Sequence, residues 1–167
     1  HHKKNTLLQQ FTRNYDFSYQ PDGAELVEQA MAMQTDWCTG RDCESSDILS
    51  SENRAFFRIL KEWRPLAGLF GGAVMVDGSM VAYTVAEALT RDMLLIHFEK
   101  GDTQYKGIYQ AINQMFLANS AADYTFVNRE QDLNDEGLRK AKLSYHPEDF
   151  LRKFRVTLPT TIIRGAH

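Results

Sequence analysis

The spacing of apolar residues from position 91 onward predicts a strand, a helix and a second strand. Met93–Phe98 is a short apolar run, rich in residues that favour strands. After a polar turn, apolar residues recur at spacings of three and four over residues 105–118, which predicts an amphipathic helix. A second strand is predicted over Tyr124–Val127. Elements in this order form a parallel crossover unit, whose ligands usually lie at the carboxyl ends of the strands.

The residues before this unit predict three antiparallel strands. Leu69–Val76 and Met80–Ala88 flank Asp77-Gly78, a dipeptide that is typical of two-residue hairpin turns. The strand over residues 91–99 follows at once, so the hairpin leads directly into the crossover unit. We therefore expect an α/β fold whose mixed sheet is mostly antiparallel and carries helices on both faces.

Helices are also predicted before the hairpin. Their apolar stripes cover residues 4–15, residues 24–40 and residues 52–64. A short strand at residues 15–19 follows the first helix, and Asp22 would cap the second. The polar segment 41–51 has the composition of a surface loop, so we expect Ser50 or Ser51 to cap the third helix.

The remainder of the chain completes the predicted domain organisation. Leu138, Ala141 and Leu143 predict a helix after the crossover unit, followed by a short helical turn at residues 149–153 and a last strand at Phe154–Leu158. We expect three parts: residues 1–20 as an N-terminal helix and linker strand, residues 21–159 as the main domain, and residues 160–167 as a tail.

Composition narrows the class of protein. A chain of 167 residues with 43% hydrophobic and 25% charged residues fits one soluble globular domain. The net charge of -3 creates no global field for nucleic acid, so any anion site must be local. No apolar run approaches the roughly 20 residues that span a bilayer. The polar first residues show no signal peptide, and we expect a cytoplasmic protein.

Two cysteines, Cys38 and Cys43, are the only thiols. They fit half of a metal site or a redox pair, but none of the five histidines makes a zinc spacing with them. In a cytoplasmic chain we expect two free thiols and no bound metal.

The turn before the helix at 105–118 is a candidate anion site. It reads Gln104-x-x-Gly107-x-Tyr109, with Lys106 between. A glycine there fits an ordinary helix start, or a cradle in which the amides of the first helical turn attract phosphate. The spacing resembles the Gln/Arg-x-x-Gly-x-Gly/Ala loop with which GNAT-type N-acyltransferases hold the pyrophosphate of acyl-coenzyme A, although Tyr109 replaces the last small residue.

A wider resemblance rests on two later segments, Val127–Leu133 and Glu136–Pro147, with their Asn-Arg-Glu and Leu-Arg-x-Ala-Lys-x-Ser-Tyr motifs. They are similar to a family of bacterial proteins that resemble the C-terminal domain of phosphatidylglycerol lysyltransferase, with GNAT-like lobes. The resemblance covers nearly the whole chain and corresponds to the second of two lobes, so it implies a missing N-terminal sister lobe. The family's Lys-Arg-Asn-His element appears here as Lys4-Asn5-Thr6, without the arginine and the histidine.

Three strand residues, Glu87, His97 and Glu99, are candidates for proton transfer. His97 and Glu99 share a face of the predicted strand if its side chains alternate, and a carboxylate beside a histidine fixes its tautomer. They fit a catalytic base, or a hydrogen-bonded core histidine and a strand end. By resemblance, Tyr145 would protonate a leaving thiolate; alternatively, it packs as an aromatic side chain above Pro147.

Asn128, Arg129 and Glu130 follow the second strand, where ligands gather. Arg129 would bind a phosphate or carboxylate of the substrate while Glu130 holds it in place. The alternative is an Arg-Glu pair that ties this loop to Arg139 or Lys142.

The resemblance implies transfer of an acyl or aminoacyl group from acyl-CoA or aminoacyl-tRNA to an amine or hydroxyl acceptor, including a small molecule or a lipid headgroup. The donor would then be contacted by four residues of the turn: Gln104, Lys106, Gly107 and Tyr109. The alternative is a non-catalytic lobe that binds or packs against a partner, and Tyr109 in the phosphate loop favours it.

Overall fold

A computed structural model of the chain describes residues 2–21, 25–63, 66 and 68–157. The helices are α1 (His2–Asn14), α2 (Val27–Arg41), α3 (Asp47–Lys61), α4 (Ile108–Ser120) and α5 (Glu136–Leu143). The strands are β1 (Phe17–Pro21), β2 (Leu69–Val76), β3 (Ser79–Ala88), β4 (Met93–Gly101) and β5 (Phe126–Asn128). The chain divides into two compact units, His1–Leu133 and Asn134–His167, and each is described by itself.

The first unit is built on one five-stranded sheet in the order β1-β2-β3-β4-β5. The first four strands pair antiparallel, and β5 pairs parallel with β4. The predicted mixed, mostly antiparallel sheet is confirmed. β1 is a full member of this sheet, because it pairs along its length with β2.

The hairpin between β2 and β3 forms where the sequence predicts it. Asp77 and Gly78 both have positive φ, 50° and 78°. Two successive positive φ values twist the backbone to match the right-handed twist of the flanking strands, and Asp-Gly adopts them at low cost.

Helices cover both faces of the sheet. On one face, α2 and α3 bury Met33, Phe56 and Leu60 against Tyr83 and Phe98. On the other face, α1 and α4 form a core around the fully buried side chains of Phe11 and Ile112. Burial of such large side chains contributes roughly 1.5–3 kcal/mol each, so both helical layers hold the sheet.

The corner between α2 and α3 differs from the prediction. α2 continues through Gly40 to Arg41, and α3 begins at Asp47, so the predicted loop 41–51 and the caps at Ser50 and Ser51 are wrong. The reason is local: Ser46 has extended backbone and its side chain accepts a hydrogen bond from the Leu49 amide, which starts the helix earlier. The predicted cap of α2 at Asp22 lies outside the described residues.

The two cysteines form a disulfide, so the expectation of free thiols is wrong. The last turn of α2 and a short 3-10 turn at Cys43–Ser45 bring their Cα atoms within 5.2 Å, and both side chains are buried. In the described residues, no group of three or more His, Cys, Asp or Glu side chains is placed to hold a metal ion.

The second unit contains α5, which Asp135 caps by accepting a hydrogen bond from the Leu138 amide. The helical turn predicted at residues 149–153 is absent from this described segment, and residues 154–157 form no strand. A strand needs a bonded neighbour and a covered face, yet Phe154 and Val156 are 83% and 84% exposed. Leu158 and the predicted tail lie outside the described residues. Of the described helices, none has the length and apolar character that crossing a bilayer requires.

Candidate active site

In the first unit, β5 ends before its parallel neighbour β4 does. Their parallel pairing runs from Met93–Phe126 to Leu95–Asn128 and ends there. β4 continues to Gly101, and in the described part of the chain no strand pairs with residues 96–101 on the β5 side. The carboxyl half of β4 therefore has no neighbouring strand on that side, and we call this unpaired edge the opening between β4 and β5. A parallel crossover unit usually accepts its ligand at the carboxyl ends of its strands.

Glu99 lies on this carboxyl half of β4 and is held by two donors. Nη2 of Arg129 donates to its Oε1 at 2.6 Å, and Nδ2 of the buried Asn113 in α4 donates to its Oε2 at 3.0 Å. Arg129 follows directly after β5, so this ion pair links the two strand ends across the opening. The predicted site residues Glu99 and Arg129 are thus brought together, although each is far from the other in sequence.

Lys4 enters the same cluster from the first turn of α1. Burial and then the positive charge of Arg129 lower the pKa of Lys4 from its ordinary value of 10.5 to about 8, while Glu99 raises it. Two cations therefore lie close to one carboxylate, and the charged form of Lys4 is disfavoured there. An anion bound at this place would reverse that effect by stabilising both cations.

His97 occupies the second half of the site because of an irregularity in β4. Val85 pairs with Phe98 whereas Ala86 pairs with Ile96, so His97 is an extra residue that forms a β-bulge. Such bulges redirect a side chain out of the regular alternation. Here the imidazole lies between two carboxylates, with Nδ1 2.9 Å from Oε1 of Glu130 and Nε2 3.4 Å from Oε1 of Glu87.

These two carboxylates change the basicity of His97. The hydrogen bond with Glu130 raises the pKa of His97 most, burial opposes it, and the charges of Glu130 and Glu87 raise it further. Glu130 keeps its position because its backbone amide donates to Oδ1 of Asn128, in a tight turn where Glu130 has a φ of 54°. The turn after β5 therefore holds three polar side chains in place: Asn128 bonds the Glu130 amide, Arg129 contacts Glu99, and Glu130 contacts His97.

In the predicted phosphate turn, several backbone amides are bonded within the turn itself. The amides of Gln104, Tyr105 and Ile108 donate within the turn, to Asp102 Oδ1, Asp102 O and Tyr105 O. Gly107 has a φ of 90° and lies against α1, so a Cβ there would collide with the carbonyl oxygen of Leu7. Conformation and helix packing therefore account for this glycine.

The other residues of the turn have separate surroundings. Tyr109 is half-buried against the core between α1 and α4, and Lys106 is exposed. Gln104 lines a cavity of about 530 Å³, together with residues of α2 and of the β2–β3 turn. Donor contact by Gln104, Lys106, Gly107 and Tyr109 stays a prediction.

Tyr145 lies in the second unit, just after α5, where its backbone amide donates to the carbonyl oxygen of Lys142. Its role as proton donor to the leaving group stays a prediction.

Three further residues belong to the site, and sequence reasoning missed one of them, Asn113. Glu87 was a predicted base, and Lys4 was noted only as part of the Lys4-Asn5-Thr6 element. Lys4 comes from the N-terminal helix, Asn113 lies on the inner face of α4, and Glu87 lies near the end of β3. A buried Asn within an apolar helical stripe was the one available signal for Asn113, because a buried amide must find a partner. No spacing rule connects Lys4 with Glu99, since only the packing of α1 joins them.

The family comparison matches nearly the whole chain. Residues 1–157 match the family described as phosphatidylglycerol lysyltransferase, C-terminal. No curated protein matches the sequence.

Solved structures extend this match. A conserved protein of unknown function from Bacteroides thetaiotaomicron VPI-5482 is 33% identical, with a TM-score of 0.82 over 88% of this chain and 50% of that chain. This chain therefore spans half the length of that relative.

More distant structures share the fold alone. The ribosomal-protein-alanine N-acetyltransferase from Brucella melitensis biovar Abortus 2308 is 9% identical, with a TM-score of 0.60 over 86% of this chain and 100% of its own. The acetyltransferase AAC(6')-Iy, in complex with the bisubstrate analogue CoA-S-monomethyl-acetylneamine, is also 9% identical, with a TM-score of 0.59 over 86% of this chain and 99% of its own. The chain belongs to the phosphatidylglycerol lysyltransferase C-terminal family, and its fold is that of the GNAT acetyltransferases.

Proposed function

We propose that the chain is an acyl- or aminoacyl-transfer domain, which moves an acyl group from acyl-CoA or aminoacyl-tRNA to an amine or hydroxyl acceptor. The observation that carries this proposal is the opening between β4 and β5, bordered by the Glu99 cluster and by His97. The activity named in the family description supports the transfer class, and the coenzyme A analogue bound to AAC(6')-Iy supports an acyl-CoA donor. The other half of the Bacteroides relative would correspond to the sister lobe.

The donor phosphates would lie beside Lys4 and Arg129. Both candidate donors carry phosphates, and phosphate oxygens accept charge-assisted hydrogen bonds from a guanidinium. Glu99 and Asn113 hold Arg129 in place before the ligand arrives, which lowers the entropy lost on binding. Gln104 and Lys106 would extend this contact at the start of α4.

The acceptor would approach the other half of the site, beside His97. When its imidazole is neutral, His97 and the carboxylates of Glu87 and Glu130 together carry two negative charges. Such a group attracts the positive charge of an ammonium ion, whereas a hydroxyl acceptor is neutral. This half of the site would therefore bind an amine acceptor in preference to a hydroxyl acceptor.

The chemistry of His97 follows from its partners. An amine acceptor must lose a proton before its nitrogen attacks the carbonyl carbon, and on this proposal neutral His97 would take that proton. Glu130 orients the ring and stabilises the imidazolium that forms. The new C–N bond then replaces the bond to the leaving thiol or ribose hydroxyl, which takes up a proton as it departs.

A second candidate function is a non-catalytic lobe that binds or packs against a partner. It is favoured by the phosphate turn, where three amides are bonded internally and α1 covers Gly107. On this account Glu99, Arg129 and Lys4 join α1 and the two strand ends, and they bind no donor.

Calorimetry separates the two functions. The purified chain is titrated with coenzyme A and, separately, with bulk aminoacyl-tRNA, and the titrations are repeated with Arg129→Gln and with the exposed-surface control Lys61→Gln. If the chain is a transferase domain, at least one donor should bind. Arg129→Gln should weaken the affinity for that donor, and Lys61→Gln should leave the affinity unchanged. Failure of both donors to bind at millimolar and micromolar concentrations respectively would support the non-catalytic lobe.

A further inference from the structure

A short segment of the second unit carries the four most exposed large apolar side chains of the described residues. Phe150, Leu151, Phe154 and Val156 are 64%, 67%, 83% and 84% exposed. The next most exposed large apolar side chain in the described residues, Ile48, is 49% exposed. Single exposed apolar residues are common, but four within seven positions form a patch that usually marks an interaction surface.

The same segment is strongly basic. Residues 150–157 contain Arg152, Lys153 and Arg155 and no acidic residue, although the chain as a whole carries a net charge of -3. Positive charge and exposed apolar side chains are thus concentrated together in eight residues. This segment lies in the second unit, whereas the opening between β4 and β5 lies in the first.

We propose that residues 150–157 form a docking surface for an anionic lipid bilayer. Basic side chains are attracted to anionic headgroups, and apolar side chains enter the boundary between headgroups and acyl chains. Two signals of this kind are needed for lasting attachment, because either alone gives weak and reversible binding. The segment supplies both.

A bilayer fits the segment better than a nucleic acid does. Both carry negative charge, and the two phenylalanine rings can stack on bases or enter a membrane interface. Leu151 and Val156 are aliphatic, so they cannot stack on bases, whereas hydrocarbon receives them readily. This inference does not depend on transfer activity, since attachment requires neither donor nor acceptor.

Vesicle co-sedimentation tests the proposal with the full chain. One set of vesicles contains phosphatidylcholine alone, and the other contains equal parts of phosphatidylcholine and phosphatidylglycerol. We expect the chain to sediment with the anionic vesicles at low salt and to remain in solution with the neutral ones. Binding should weaken as salt is added, because the attraction is electrostatic.

Matched variants assign the binding to the segment. Arg152→Gln with Arg155→Gln should reduce partitioning roughly fivefold for each basic side chain removed. Phe154→Ser with Val156→Ser should reduce it roughly tenfold or more. Arg58→Gln with Lys61→Gln, on the exposed side of α3, removes the same charge and should leave partitioning unchanged. Circular dichroism should show all variants folded, because the replaced side chains are exposed.

Three results would overturn the proposal. The first is recovery of the whole chain in the supernatant with anionic vesicles at low salt. The second is equal sedimentation with and without the four replaced side chains. The third is binding of a short unstructured RNA through Arg152 and Arg155 without binding to vesicles, which would make the segment a nucleic-acid surface.

Discussion

Two neighbouring residues of β4, Glu99 and Lys100, place charge on opposite faces of the sheet. Lys100 donates to Glu52 of α3 at 2.9 Å and lies 4.0 Å from the centre of the Trp37 ring. Glu99 accepts from Arg129 at 2.6 Å on the side of the opening. Burial is closely matched, since the side chains of Lys100 and Glu99 are 9% and 8% exposed.

The two clusters differ in how their charges are matched. On the Lys100 face, one cation contacts a carboxylate and an aromatic ring, and both contacts attract its positive charge. On the Glu99 face, a second cation, Lys4, lies within the field of Arg129 and has a pKa of about 8. The Lys100 pair joins elements of the fold, so we expect it to contribute mainly to stability. The Glu99 cluster, with two cations near one carboxylate, is where we propose that the donor anion binds.

The largest expected effect is on stability. Lys100→Met should lower the free energy of unfolding by roughly 3 kcal/mol, because it leaves Glu52 partly buried without its cation. Urea unfolding measures this loss. Lys100→Met combined with Glu52→Met should recover most of it, and Lys61→Met on the exposed side of α3 should change stability by less than about 0.5 kcal/mol. A double variant as unstable as the single one would contradict a charge-pair origin.

The second effect is on donor binding. Arg129→Gln should weaken coenzyme A or aminoacyl-tRNA binding roughly tenfold to hundredfold, the usual consequence of losing a charge-assisted contact. Lys100→Met should leave the affinity of the folded protein unchanged, because Lys100 lies on the opposite face of the sheet. Equal losses in the two variants, measured by calorimetry, would remove the distinction between the clusters.

The contrast between these neighbours was only partly accessible from sequence. Alternation along a strand places residues 99 and 100 on opposite faces, and the Asp77-Gly78 turn fixes the order of the strands before them. The parallel crossover is likewise predictable from the change of apolar spacing. Strand alternation, the hairpin turn and the crossover depend on residues that are close together in the sequence, so they can be predicted from it.

The partners depend on tertiary packing and could not be predicted. Lys4 lies within the field of Glu99 and Arg129 because α1 packs beside α4, with the Leu7 backbone against Gly107. The bulge at His97 adds one residue to β4 without changing its apolar pattern, so alternation alone gives no sign of it. Ser46 was missed as a cap because several serines nearby offer the same chemistry.

The third effect concerns the charge of Lys4. Its folded-state pKa is lowered, which means that the folded protein disfavours the charged amine. Below about pH 8 the amine is charged in the folded and the unfolded state, so this cost to stability is then fully present. Lys4→Met should therefore raise stability at neutral pH, by less than about 1 kcal/mol because the side chain is partly exposed. The gain should shrink as pH rises from about 8 toward 10.5, where wild-type Lys4 becomes neutral in both states. Thermal unfolding at several pH values checks the sign; a gain that grows with pH would contradict it.

The smallest effect concerns His97. Its pKa is raised in the folded state, so its contribution to stability is present below its unfolded pKa of 6.5 and is lost as pH rises through the folded value. Glu130→Gln should cost a few tenths of a kcal/mol at about pH 6 and less at about pH 8.

The same variant tests the proposed catalytic base. If neutral His97 takes the proton, transfer activity should rise with pH through its pKa, and Glu130→Gln should move that rise to lower pH. The His97 pKa itself can be followed by NMR titration. A pH profile that does not move while the NMR pKa falls would exclude His97 as the base.

Proton uptake on donor binding tests the central claim most directly. Calorimetric titration with coenzyme A at about pH 8, in buffers of different ionisation enthalpy, measures the protons bound. An anion beside Lys4 should raise its pKa above about 8, so the account predicts net uptake, and Lys4→Met should abolish it. Binding without proton uptake, or identical uptake by Lys4→Met, would contradict the assignment of this cluster to the donor anion.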